Sequence, residues 1–140
     1  PHYAAYGPDI CRIISACGDN LAELNIALIQ HLAGLLDIHT PMVRSSELQA
    51  QGKAAELLIA ICKELGADTY LSGSGGANYQ DEQDFAAAGL KLIYTNYQHP
   101  TYAQPFGDFV GGLSVVDLLF NCGSDSAAIL RSRHQAGDAS

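Results

Sequence analysis

Residues 68–99 read DTYLSGSGGANYQDEQDFAAAGLKLIYTNYQH, and this stretch decides the fold. Thr69-Tyr70-Leu71 is β-branched, aromatic and aliphatic in turn, and reads as a strand. Ser72-Gly73-Ser74-Gly75-Gly76 follows at once as a glycine-rich loop. Asp81 and Asp84 then open a short helix, where a carboxylate caps free N–H groups and meets the positive end of the dipole. Gly89 closes that helix. Residues 90–97 read as the next strand, mixed on both faces and therefore expected to be covered on both. His99-Pro100 turns the chain. Strand, loop, helix, strand is a β-loop-α-β unit, which places ligands at the carboxyl ends of its strands. The expected fold class is α/β, a small parallel sheet with helices packed around it.

Upstream, Ile10, Ile13, Ile14 and Cys17 form a short helical stripe after Pro8-Asp9, closed by Gly18. Asn20 and Glu23 have capping-box spacing. Leu21, Leu24, Leu28, Leu32 and Leu35 recur at helical period, which predicts an amphipathic helix ending near Leu36. His31 borders that apolar stripe and is expected to find a polar partner. Thr40-Pro41-Met42-Val43-Arg44 reads as an edge strand, since proline cannot donate to a ladder. Ala54, Leu57, Leu58, Ile61 and Leu65 mark a second amphipathic helix over 53–65, with Gly66 suited to its C′ position. Downstream, 99–112 is loop, 113–120 is the most apolar helix, and Ser114 and Asp117 are spaced as a cap and its partner. A last helix runs through Leu130, and 135–140 is expected to be a flexible tail. No repeat or linker divides the chain, so one α/β domain over residues 1–140 is the expectation.

With 140 residues, 48% hydrophobic and 16% charged, the chain has the composition of a packed globule. Fifteen acidic residues against 7 basic ones give a net charge of −8, and no basic stripe offers itself to a phosphate backbone. Nucleic acid is therefore not an expected partner. Cys11, Cys17, Cys62 and Cys122 contain no short-spaced pair, so free buried thiols of a cytoplasmic protein are expected rather than disulfides or zinc. No apolar run reaches membrane-spanning length. The chain opens on Pro1 rather than Met, as a fragment or processed form would.

Three groups of residues suit chemistry. In the glycine loop, successive N–H groups can cradle an anion, or the glycines can simply make a tight turn. The spacing matches neither a Walker A loop nor a dinucleotide fingerprint, and Asp81 and Asp84 place negative charge beside any bound anion. His99 follows a strand and sits among Tyr97, Tyr102 and Gln104, where an imidazole suits acid–base work; the plain alternative is a loop histidine bonded to backbone. Ser72 or Ser74 would need His99 as base, and neither lies in a G-x-S-x-G elbow. Tyr70, Tyr79, Tyr94, Tyr97, Tyr102 and Phe106 could wall a sugar or base pocket, or could be ordinary core and strand residues.

Taken together, Y-L-S-G-x-G-G-x-x-Y-x-D-E-x-x-F over 70–85, Y-x-H-P-x-Y-x-Q over 97–104 and G-x-F-x-x-x-L-S-x-x-D-L-L-F-N-C-G over 107–123 resemble the WbqC-like proteins. The resemblance covers most of the chain. It implies a bacterial protein of O-antigen or other surface-polysaccharide biosynthesis, with aminoacyl (glycine) transfer to an amino sugar as the activity suggested for some members. It also implies that this chain is the C-terminal part of a longer protein, because the Gln-Pro-x-(Tyr/Phe)-x-Pro segment of the family is absent here. Exposed apolar surface would then favour a homo-oligomer. Gln80 departs from the apolar residue expected of the family.

The matching positions imply catalytic roles for His99 and Asp117. They imply ligand-binding roles for Ser72, Gly73, Gly75, Gly76, Tyr79, Asp81, Tyr102 and Gln104, with Ser114 as the companion of Asp117. The implied substrate is a small molecule, a nucleotide sugar or an acyl or amino-acid donor. Neither the residues nor the resemblance names a cofactor, and no metal ligand set is implied.

Overall fold

Lys91 donates its N–H to Asp68 O at 2.9 Å and Thr95 donates to Ser72 O at 2.8 Å, so the two strands flanking the glycine loop run in parallel as anticipated. This computed structural model describes residues 1–78 and 80–132; Tyr79 and the tail expected at 135–140 lie outside them. The described elements are α1 (Tyr3–Ala16), α2 (Leu21–Leu35), α3 (Ala54–Glu64), β1 (Thr69–Ser72), α4 (Glu82–Ala87), β2 (Lys91–Tyr94), α5 (Val115–Cys122) and α6 (Ser126–Ser132). Helices around a small parallel sheet make the fold α/β. The chain divides into two compact units. One is the continuous segment Pro41–Tyr97; the other joins Pro1–Thr40 to the chain from Gln98 onward.

In the continuous unit, β1 and β2 pair with Thr69 opposite Lys91 and Ser72 opposite Tyr94. Both strands are entered in the same way. At the end of α3, Gly66 takes φ +67° and donates to Lys63 O at 3.1 Å, while Ala67 donates to Cys62 O at 2.9 Å. At the end of α4, Gly89 takes φ +78° and donates to Ala86 O at 3.0 Å, while Leu90 donates to Phe85 O at 2.9 Å. Each is a Schellman turn that satisfies the last carbonyls and swings the chain into the next strand. Phe85 is fully buried with Cys62 and Leu90, and its ring stacks on Tyr70 at 5.4 Å. Burying such a side chain contributes roughly 1.5–3 kcal/mol.

Two expectations fail in this unit. Residues 40–44 are not a strand: the chain there takes no regular secondary structure, and passes into a 3-10 turn at Ser45–Glu47. Pro41 offers no N–H for a ladder, so β-propensity alone does not recruit the segment. Nor is the sheet covered on both faces. Tyr70 and Leu92 pack on the Phe85 core, but Leu71 is 63% exposed and its register partner Ile93 is 37% exposed.

In the other unit, Leu118 and Leu119 of α5 are buried, as are Ile10 of α1 and Leu36 after α2. α1 starts at Tyr3, well before Pro8, which lies inside the helix. Proline there removes a helical bond; packing outweighs it, because the Tyr3 ring lies across Gly7, where a Cβ would collide with it, and meets Phe120 edge-on at 5.3 Å. Asn20 caps α2 as expected, its Oδ1 accepting from the N–H groups of Ala22 and Glu23. α2 ends in a Schellman turn with Asp37 at φ +56° in place of glycine, and Arg131 of α6 donates to the carbonyls of Leu36 and Asp37 at 3.0 and 2.7 Å.

Candidate functional site

Leu113-Ser114 leads into α5 with Ser114 as N-cap, its Oγ accepting from Val116 N–H at 3.3 Å. Asp117 was expected to complete that cap. Its backbone N–H does donate to Ser114 O at 2.9 Å, but its carboxylate turns elsewhere. Asp117 Oδ2 accepts from Tyr102 Oη at 2.8 Å and from Gln104 Nε2 at 2.8 Å. Two donors on one oxygen fix the orientation of the carboxylate. Oδ1 accepts no bond among the described residues.

The second motif and the third thus meet in one network. Gln104 extends it: its Nε2 also donates to Val110 O at 3.1 Å, and its Oε1 accepts from Val110 N–H at 2.8 Å. That paired amide–backbone contact closes the loop between Gln104 and Val110. Tyr102 further packs edge-on against Phe109, ring centres 5.2 Å apart. Burial, and then the bond to Asp117, push the Tyr102 hydroxyl up to about 12, so it remains a donor at neutral pH. The hydroxyl of Tyr102 and the amide of Gln104 are spent on positioning Asp117 and the loop.

Asp117 lines a cleft of about 540 Å³ within this unit, together with Gln104, Phe106, Leu113, Phe120 and Asn121. Asp108 adds a second carboxylate, and no Lys, Arg or His is among the residues that line it. A cleft with carboxylates, amides and apolar walls suits a neutral or cationic polar ligand better than a phosphate. The neighbouring Cys122 is a poor nucleophile, since burial, with Asp125 and Asp117 beside it, pushes its thiol up. His99 belongs to the same unit and is exposed.

The glycine loop lies in the continuous unit. Residues Ser74–Asn78 form a 3-10 turn in which Gly76 N–H donates to Gly73 O at 2.9 Å. Gly73, Gly75 and Gly76 do not take positive φ, so backbone angle is not what requires glycine there. Gly76 is required by space: a Cβ on it would collide with Ser72 Oγ and crowd Gln80 Oε1. Ser72 is buried, and its Oγ donates to Gly73 O at 3.3 Å. Gln80 Oε1 is buried with no hydrogen-bond partner among the described residues. Gly73 and Gly75 are exposed, and a Cβ on either would meet open space. Asp81 caps α4, its Oδ1 accepting from Gln83 N–H at 2.8 Å.

Two further expectations change. His31 was expected to have a polar partner, but its Nε2 is buried with none among the described residues. All four cysteines are free, but only Cys62 is buried and Cys11 is exposed. Sequence reasoning also missed Asn121 and Phe120 as walls of the cleft. Their i+4 and i+3 spacing from Asp117 was the available signal. Among the described residues no cluster of His, Cys, Asp and Glu could hold a metal ion, and no helix is long and apolar enough to cross a membrane.

Residues 1–129 match the sequence profile of the WbqC-like protein family. The chain is also 30% identical over 113 residues to an uncharacterised protein, Rv1507c, of Mycobacterium tuberculosis (strain ATCC 25618 / H37Rv), a match covering 80% of this chain and 49% of that protein. It thus spans about half the length of that curated relative. No solved structure gives a significant match.

Proposed function

Because the chain belongs to the WbqC-like protein family, we propose that it carries the acceptor side of a transferase in O-antigen or other surface-polysaccharide biosynthesis. The reaction is transfer of an acyl or aminoacyl group, such as glycyl, to the amino group of a nucleotide-linked amino sugar. The observation that carries this reading is Asp117, a carboxylate held by Tyr102 and Gln104 with one oxygen left over, in the wall of a cleft that suits an ammonium. Asp117 would bind the acceptor as its ammonium form. A base must take the proton that leaves before the nitrogen lone pair can attack, and His99, in the same unit though not among the residues lining the cleft, is the base that the motif supplies. The amine nitrogen then bonds to the carbonyl carbon, the bond from that carbon to the donor's leaving group breaks, and the leaving group departs with the electron pair and takes up the second proton that the nitrogen releases.

Gly73 and Gly75 support a second recognition element. Glycine at an exposed position with ordinary backbone angles and free space is what close approach of a ligand to the main chain requires. The same feature favours the alternative reading, a binding module without chemistry.

The test is mass spectrometry of nucleotide-linked amino sugars incubated with the chain and a panel of acyl and aminoacyl donors. The expected product is heavier by one acyl group, and His99→Ala is expected to abolish it while leaving the fold intact. Product formed equally by His99→Ala would remove the proposed base. Sugar binding with no product from any donor would leave the module reading.

A further inference from the structure

Phe106 is the most conspicuous residue of the cleft. It is fully exposed, at 102%, and its backbone takes φ +72°. A bulky non-glycine residue in the left-handed region carries strain, and leaving an aromatic ring wholly in water forgoes its burial energy. Both costs fall on one residue, between Pro105 and Gly107. The loop that presents it is not slack: Gln104 grips both the N–H and the C=O of Val110 and closes it, and the same Gln104 holds Asp117. One amide side chain therefore fixes the carboxylate and the base of the aromatic loop together. Phe106 also lines the cleft with Asp117.

An exposed aromatic face beside an anchored carboxylate has a definite complement. A pyranose ring presents a face of C–H groups that packs on the electron-rich face of an aromatic ring, and an ammonium on that sugar pairs with a carboxylate. We propose that this cleft is the subsite for the aminated pyranose ring itself, with Phe106 stacking on its apolar face and Asp117 Oδ1 receiving its ammonium group. The assignment rests on the acceptor reading above and adds to it the part of the acceptor bound and the residue that recognises its ring. No Lys, Arg or His side chain lines the cleft, and the nucleotide diphosphate of that acceptor is assigned outside this subsite.

The experiment is ligand-observed NMR titration of the chain with free glucosamine, glucose and N-acetylglucosamine, with no acyl donor present. Glucosamine is expected to bind at least about tenfold more tightly than either neutral sugar, and Asp117→Asn to remove that preference. Phe106→Ala and Phe106→Gly are each expected to weaken glucosamine binding by about tenfold. Phe106→Gly relieves the positive φ and is expected to raise the melting temperature while affinity falls. Wild-type affinity in both Phe106 variants would overturn the stacking role. Equal binding of glucosamine and N-acetylglucosamine, or no binding of glucosamine by the wild type, would overturn the ammonium subsite. Acyl transfer that persists with Phe106-independent binding would sink this subsite and leave the transferase standing. Phe106-dependent binding without transfer would do the reverse.

Discussion

At the scale of single residues, Tyr102 carries the clearest pH signature. Its hydroxyl is raised from 10.0 to about 12, first by burial and then by the bond to Asp117. A raised pKa means the folded state holds the proton more tightly. The stabilisation is therefore complete below pH 10 and is lost as pH rises toward 12. Absorbance titration of the 7 tyrosines should show one ionising only near pH 12, and Asp117→Asn should move it down. Tyr102→Phe should cost about 1–3 kcal/mol, the worth of a hydrogen bond to a charged group, measured by urea unfolding. Titration of all tyrosines near pH 10 in the wild type would mean that the Tyr102–Asp117 bond does not persist in solution.

At the scale of elements, the glycine loop divides into residues that packing needs and residues it does not. Gly76→Ala should destabilise by about 1–3 kcal/mol, because the new methyl has no room beside Ser72 Oγ. Gly75→Ala should leave stability within about 0.5 kcal/mol of the wild type, since open space surrounds it. Thermal unfolding of both variants checks this, and equal losses would refute the division. The loop and its strands were legible in the sequence because local signals coincide there: β-branched and aromatic residues, an Asp81 cap, and glycines at both C′ positions. The start of α1 and the fate of residues 40–44 were not legible. Tyr3 over Gly7 is a packing contact that overrides proline's local veto, and a strand exists only where a partner strand offers its ladder. The Tyr102–Gln104–Asp117 network was legible as three residues to watch, but not as one group. Its members are separated by the loop that Gln104 itself closes, and no periodicity reports such a contact.

At the scale of the whole molecule, the continuous unit and the divided one should contribute differently to kinetics. Contacts within Pro41–Tyr97 are local, whereas the other unit must bring Pro1–Thr40 together with the chain beyond Gln98. Closing that long loop costs entropy, and prior compaction of the intervening segment reduces the cost. Phe85→Ala and Leu119→Ala should each cost about 3–5 and 2–5 kcal/mol respectively. In stopped-flow chevrons the first should chiefly slow folding and the second chiefly speed unfolding. Equal slowing of folding by Leu119→Ala would contradict this order. The divided unit has a consequence for biosynthesis as well. A ribosome releases α1 and α2 first and α5 long afterwards, at roughly 5–20 residues per second. For those seconds α1 emerges without α5, the helix it finally packs against, and its apolar stripe is the natural target of whatever chaperone guards the exit tunnel.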